Sequence, residues 1–330
     1  MSPDTTQHPR WHAIDHLKAA AIVAVVVTHS GPDTVAPTGD ALTWNLTKTW
    51  TVFQVPAFLF ASGFLYARRS GGRDVVLVRL VRVILPYLVA SGVVQLVGAS
   101  GARTPGEVIQ QVLTASSLGI YYYVSLICGC IVLSWPLARL SRSGVLVVWV
   151  AYAAYSVAAF VRPELRTARD WFWMIRDPLS LFAFGFFLSG WAARCWLPEL
   201  SSLRRRAPAA VLTAAVCVTA FGLALNAQLL PFSWGWFDRA IYTHGVVALF
   251  ALLLAGRPAG PCVRFLADTT LALYLYHLLF VLAVRPFLAG APALVAIGGQ
   301  VCAGLAGAVG FVWLARWLLG TERARRWLGG

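Results

Sequence analysis

Apolar positions gather along the chain in runs of about 20 residues, enough helix at 1.5 Å rise per residue to cross a hydrocarbon layer of roughly 30 Å. Ten such runs read as helices: 13–31, 48–67, 75–99, 119–138, 144–161, 178–196, 208–228, 239–255, 265–287 and 293–318. Proline, glycine, arginine and tryptophan punctuate their ends, and the connections are too short for a separate soluble domain. The stretch 105–118 reads either as the start of the fourth run or as an interfacial helix. The predicted fold is all-α and integral to the membrane. It is a single domain over 1–330 built as a bundle of about ten transmembrane helices, with an N-terminal tail at 1–12 and a basic tail at 319–330.

Composition agrees with this pattern. The chain is 59% hydrophobic and only 12% charged, with a mean hydropathy of +0.71, against about 45–50% and about 25% for a soluble domain. So few charges cannot cover a globule of this size, so the exposed surface faces lipid and an ordinary cytosolic enzyme is excluded. The net charge of +14 raises nucleic acid as a partner. The basic residues, however, lie in short clusters between apolar runs, the arrangement that orients membrane proteins, and no nucleic-acid partner is expected.

With the N-terminus in the cytoplasm, nineteen of the 27 lysines and arginines fall inside, which places both termini there and the protein in a cell membrane as a multi-pass chain. Arg10 followed by the apolar run Ala19 to Val27 has the outline of a signal peptide. Asp15, His16 and Lys18 directly before the run, and the lack of a small-x-small cleavage site after it, favour a retained span.

Ionisable groups inside spans are costly and mark functional candidates. Lys18 and His29 are eleven residues apart, three turns plus about 20°, so they share a helix face and stand roughly 16 Å apart along the axis. His244 and His277 fall at a similar mid-to-outer depth on two other spans, which suggests a polar cavity of three histidines. No spacing supports a metal. Toward the cytoplasm, Ser62-Gly63-Phe64 ends the second run, and Arg79 and Arg82 open the third, one turn apart. A glycine allows close backbone approach, and arginines grip phosphate in bidentate fashion.

Tyr121, Tyr122 and Tyr123 read as an interfacial aromatic belt, as do Trp171 and Trp173. Asp170, Arg176 and Asp177 share a loop with those tryptophans. Asp268 reads as a helix cap.

These residues together resemble the membrane-bound acyltransferase 3 family. The resemblance begins with Asp15-His-Leu-Lys18 and the histidine at 29. It continues through Val55-Pro56-Ala-Phe-Leu-Phe-Ala-Ser62-Gly63-Phe64, Arg79-Leu-Val-Arg82-Val-Ile-Leu-Pro86-Tyr87 and Phe184-Gly185-Phe186 with Gly190. Tyr274-Leu-Tyr276-His277 completes it. Lys18 departs from the arginine of many members; it keeps the charge and loses the bidentate fork.

The resemblance implies transfer of an acyl group, acetyl or short-chain, from cytoplasmic acyl-CoA as co-substrate to a hydroxyl. The acceptor it implies is an envelope glycan, a lipid-linked sugar or a secreted small metabolite. No permanently bound cofactor is expected. It assigns His29, with His277 or His244, to catalysis, and Lys18, Asp15, Ser62, Gly63, Arg79 and Arg82 to the donor, with Asp15 tethering Lys18. The rival reading is a secondary transporter or flippase with a midplane polar site, against which the two halves show no evident internal repeat.

Overall fold

The computed structural model describes residues 10–31, 45–67, 73–102, 104–161, 181–232 and 236–329. Arg68, Arg69, Asp170, Trp171, Trp173, Arg176 and Asp177 lie outside the described residues. Each of the ten apolar runs contains a helix. In chain order these are α1 (His12–His29), α2 (Gln54–Tyr66), α3 (Arg73–Leu96), α4 (Pro105–Leu113), α5 (Tyr122–Leu137), α6 (Arg142–Val161) and α7 (Leu181–Cys195). There follow α8 (Leu197–Arg206), α9 (Pro208–Asn226), α10 (Trp236–Leu254), α11 (Pro261–Asp268), α12 (Thr270–Val284), α13 (Ala293–Leu319) and α14 (Thr321–Leu328). Among the described residues, five helical stretches are long and apolar enough to cross a membrane, at Arg73–Leu96, Pro208–Asn226, Phe237–Leu254, Thr270–Leu288 and Ala293–Leu319.

The stretch 105–118 starts as the separate helix α4, fixed by a capping box in which Thr104 and Glu107 exchange side-chain to backbone bonds. The second run enters through a π turn at Asn45–Thr49 and a 3-10 turn at Trp50–Phe53 before α2 begins. The ninth run, expected to be continuous, is broken at Thr269. There the hydroxyls of Thr269 and Thr270 turn back onto the carbonyls of Phe265, Leu266 and Ala267. Asp268 does not cap α12; its carboxylate accepts from Arg10 at 2.9 Å. The basic tail folds as α14, which sets Ala324 and Leu328 inward against α3 and α13.

Helix α1 is the centre of the bundle. It packs against α2, α10, α11, α12 and α13 and against the 3-10 turn. Lipid tails are as apolar as leucine, so close backbone contact and interhelical hydrogen bonds, rather than hydrophobic burial, hold such helices together. The α2–α7 crossing shows why glycine stands at 63 and 190. A Cβ on Gly63 would sit 1.9 Å from the carbonyl oxygen of Phe187, and one on Gly190 would sit 2.0 Å from that of Phe60.

Tyr121 and Tyr123 are core residues rather than an interfacial belt, and only Tyr122 is exposed. The Tyr121 hydroxyl donates to Leu275 O at 2.9 Å, and the Tyr274 hydroxyl donates back to Ile120 O, stitching α5 to α12. Removing one of these hydroxyls forfeits a buried hydrogen bond between the two segments. Tyr121→Phe is therefore expected to lower the melting temperature in detergent by a few degrees, for a loss of about 0.6–2 kcal/mol.

Candidate functional site

The C-terminal end of α1 is fastened on both sides of His29. Gln54 donates to the Thr28 hydroxyl at 3.0 Å, Thr28 to Thr51 at 2.7 Å, and Thr51 to the Thr47 carbonyl at 2.7 Å. The Lys48 ammonium donates to the Thr28 carbonyl, where the helix C-terminus presents partial negative charge. Beyond His29, the Gly31 amide donates to Gln300 of α13 at 3.0 Å.

One turn below, α13 lies flush against both α1 and α12. A Cβ on Gly304 would meet Val26 and Val281, each at 2.8 Å. Val26 lies three residues before His29, and Val281 four after His277. The close approach at Gly304 therefore packs α1, α12 and α13 together beside both histidines.

The two rings stand with centroids 5.6 Å apart, tilted by 47°. His277 is completely buried. Its Nδ1 faces the carbonyls of Tyr274 at 2.9 Å and Leu273 at 3.1 Å, two acceptors that require Nδ1 to carry the proton. Nε2 is then a lone pair, and it is buried with no partner among the described residues. A neutral imidazole held in one tautomer, its free lone pair in the interior beside a second imidazole, is equipped to accept or orient a proton.

His244 does not join this pair. On α10 it lies 200° around from Tyr242, which faces the 3-10 turn through a bond to Trp50 O at 2.9 Å. Its ring instead stacks on Phe186 of α7 at 5.2 Å. Both nitrogens are engaged, with Ala240 O at 2.8 Å and the Ser189 hydroxyl at 3.1 Å. The expected three-histidine cavity is a pair in the structure, because depth along a helix does not fix the direction in which a side chain points.

At the other end, Arg79 and Arg82 separate. The buried stripe of α3 runs through Val76, Arg79, Val83, Pro86, Tyr87, Ala90 and Val94. Arg79 is only 5% exposed and sits over the Tyr66 ring at 4.1 Å. Arg82, three residues and 300° on, falls outside the stripe and is exposed.

Asp15 is held by Arg10 at 2.5 Å rather than by Lys18, and Arg10 bridges on to Asp268. Lys18 forms no ion pair with a described residue, although the charges of Asp15 and Asp268 act on it. The Cβ direction of Gly63 is taken up by the α7 backbone, so the close approach there is to a helix.

Because α1 is unbroken from His12 to His29, Lys18 and His29 do share a face. Ile22 and Val25 lie between them on that face with no more than 1% of their surface accessible, so it carries no open passage.

A second connection, through side chains that the sequence reading did not single out as site residues, links the two ends. From Arg79 it passes to the Tyr66 ring, which interacts electrostatically with Tyr123. Tyr123 then stands 5.1 Å from Tyr274, Tyr274 6.1 Å from His277, and His277 against His29. Ser62 borders this ladder at the Tyr123 hydroxyl. The signal in the sequence was Tyr274 three residues before His277, a neighbouring position on the helix surface. The contribution of Tyr66 and Tyr123 comes from tertiary packing alone.

Among the described residues no group of three His, Cys, Asp or Glu side chains is disposed to hold a metal. No curated protein and no solved structure matches the chain. A family model does: that of the acyltransferase domain of the acyltransferase 3 family matches residues 11–317, nearly the whole chain. With its apolar helices, the chain belongs to this family of membrane acyltransferases.

Proposed function

We propose that the protein moves an acetyl or short acyl group from cytoplasmic acyl-CoA to a hydroxyl of an envelope glycan, a lipid-linked sugar or a secreted metabolite. It does so in a cell membrane, as a ten-span bundle with both termini inside. The observation that carries the reading is the imidazole pair, with one ring locked in a neutral tautomer and its lone pair unsatisfied inside a bundle of an acyltransferase family.

In this reading, His29 takes the proton from the acceptor hydroxyl as its oxygen attacks the thioester carbonyl. The carbon–sulfur bond breaks and the CoA thiolate leaves, taking up a proton. His277, through Nε2, orients His29 or the hydroxyl and is a positioning residue. Lys18 and Arg79 are the cations for the CoA phosphates, with Asp15 and Arg82 at the periphery. The pantetheine arm runs from these cations to His29 by a route other than the direct face of α1, which Ile22 and Val25 fill.

The test is donor kinetics in detergent-purified protein. Arg79→Ala and Lys18→Ala are each expected to raise the KM for acetyl-CoA by about ten-fold or more, the scale of a lost charge-assisted hydrogen bond, with a smaller change in kcat. An unchanged KM in both variants removes the phosphate assignment.

A further inference from the structure

The lipid-facing stripe of α13 runs through Trp313, Leu314, Trp317 and Leu318 and reaches the last helical residue, Leu319, all of them exposed. The apolar surface stops there. At Gly320 the chain turns with a φ of +78°, a conformation open to glycine, and α14 follows at once. Helix α14 therefore begins where hydrocarbon gives way to headgroups, a depth at which exposed tryptophan is common.

This helix is docked on the bundle. Ala324 and Leu328 turn inward against α3 and α13. The close of the helix at Gly329 is seated on α12, where a Cβ would meet Leu271 at 2.9 Å. At 100° per residue, Arg326 points directly away from the buried pair, with Arg323 about 60° from it and Arg325 and Trp327 about 100° to either side. All four side chains are exposed. Arg323, Arg325 and Arg326 form no ion pair with a described residue, and the only carboxylate on the helix is that of Glu322.

Orienting the last span needs only positive charge near its end. Here three guanidinium groups are held in a fixed array, at headgroup depth and beside an indole. A guanidinium takes phosphate oxygens in pairs, and an amphipathic helix with arginine and tryptophan on its outer face lies in the interface plane. We infer that α14 is a docking surface for the anionic phospholipids of the leaflet it faces, with Arg323, Arg325 and Arg326 on the headgroup phosphates and Trp327 among the headgroups. The surface serves this role whatever group the enzyme transfers.

The test uses the full chain in nanodiscs of phosphatidylcholine alone or with about one-third phosphatidylglycerol, read by amide hydrogen exchange. A basic residue near an anionic surface contributes about five-fold to association. Exchange over 322–329 is expected to slow at least five-fold with phosphatidylglycerol and to recover at about 0.5 M salt. Helix α4, which carries no cation, should exchange alike in both membranes. Combining Arg323→Gln, Arg325→Gln and Arg326→Gln should abolish the difference between the two membranes. Coenzyme A, the other phosphate-bearing candidate, should leave 322–329 unchanged in phosphatidylcholine alone.

Equal exchange of the wild type in the two membranes, or a lipid effect that survives in the combined variant, overturns the inference. Slowing by coenzyme A equal to that by phosphatidylglycerol would give the arginines to the donor and overturn the lipid assignment. If the combined variant does not purify as monodisperse protein, Arg326→Gln decides: it should cut the lipid effect at least two-fold, and an undiminished effect overturns the inference.

Discussion

His29→Ala is expected to yield a folded, donor-binding protein that no longer transfers acyl groups. His29 is the last residue of α1 and half-buried, so trimming it removes little packing. The fastenings at Thr28, Lys48 and Gly31 that hold the helix end do not involve its ring. A hydroxyl is a poor nucleophile at neutral pH, and a positioned base contributes about 10²–10⁴-fold. Transfer of label from acetyl-CoA into an envelope extract should therefore fall at least a hundred-fold, while the melting temperature and the affinity for acetyl-CoA hold. Near-normal turnover would remove His29 as the base. A collapse of the melting temperature would show that the ring is structural.

Gly63→Val and Gly190→Val are expected to be the most destabilising single changes at any helix crossing described. At both positions the added Cβ meets a backbone carbonyl, which no side-chain rotation can clear, so α2 and α7 must separate. Overpacking of this kind costs at least 1–3 kcal/mol, and here it would also open the wall that bears Ser62 and Phe187. Loss of monodisperse protein after detergent extraction, or a large fall in melting temperature, is the expected readout. The contrast is Gly92→Ala and Gly310→Ala, within α3 and α13, where a Cβ meets nothing. Those changes should raise the melting temperature slightly, for about 0.5–1 kcal/mol of helix propensity. A Gly63→Val protein as stable as the wild type would disprove the close crossing.

How much of this was legible in the sequence depends on whether a feature is local. Each apolar run contains a helix among the described residues, five of the helical stretches being long and apolar enough to span, because apolar segments in lipid can satisfy their backbone only internally. The sharing of one face by Lys18 and His29 followed from helical periodicity and holds because α1 is unbroken. The break at Thr269 was missed because the run is apolar on both sides, and the two threonine hydroxyls that fold back are a local choice that hydropathy does not register.

What the sequence did not contain was direction. The pairing of His277 with His29 and the setting apart of His244 depend on how α10 and α12 are rotated. That rotation is fixed by contacts such as Gly304 against Val26 and Val281. Arg79 and Arg82 looked equivalent because three residues were counted as one turn; the missing 60° put one inside and one outside. Asp15 was matched to the nearest cation along the helix, whereas its partner, Arg10, precedes the helix and also reaches Asp268 across the bundle.

The account stands most directly on where the reactive carbon of the donor goes. A structure of the protein with a non-hydrolysable acetyl-CoA analogue bound is expected to show its phosphates at Lys18 and Arg79. The acyl carbon should then lie within about 3–3.5 Å of an oxygen position that the His29 ring can reach. An acyl carbon located away from His29 and His277, whether on the His16 face of α1 or beside His244, would contradict it.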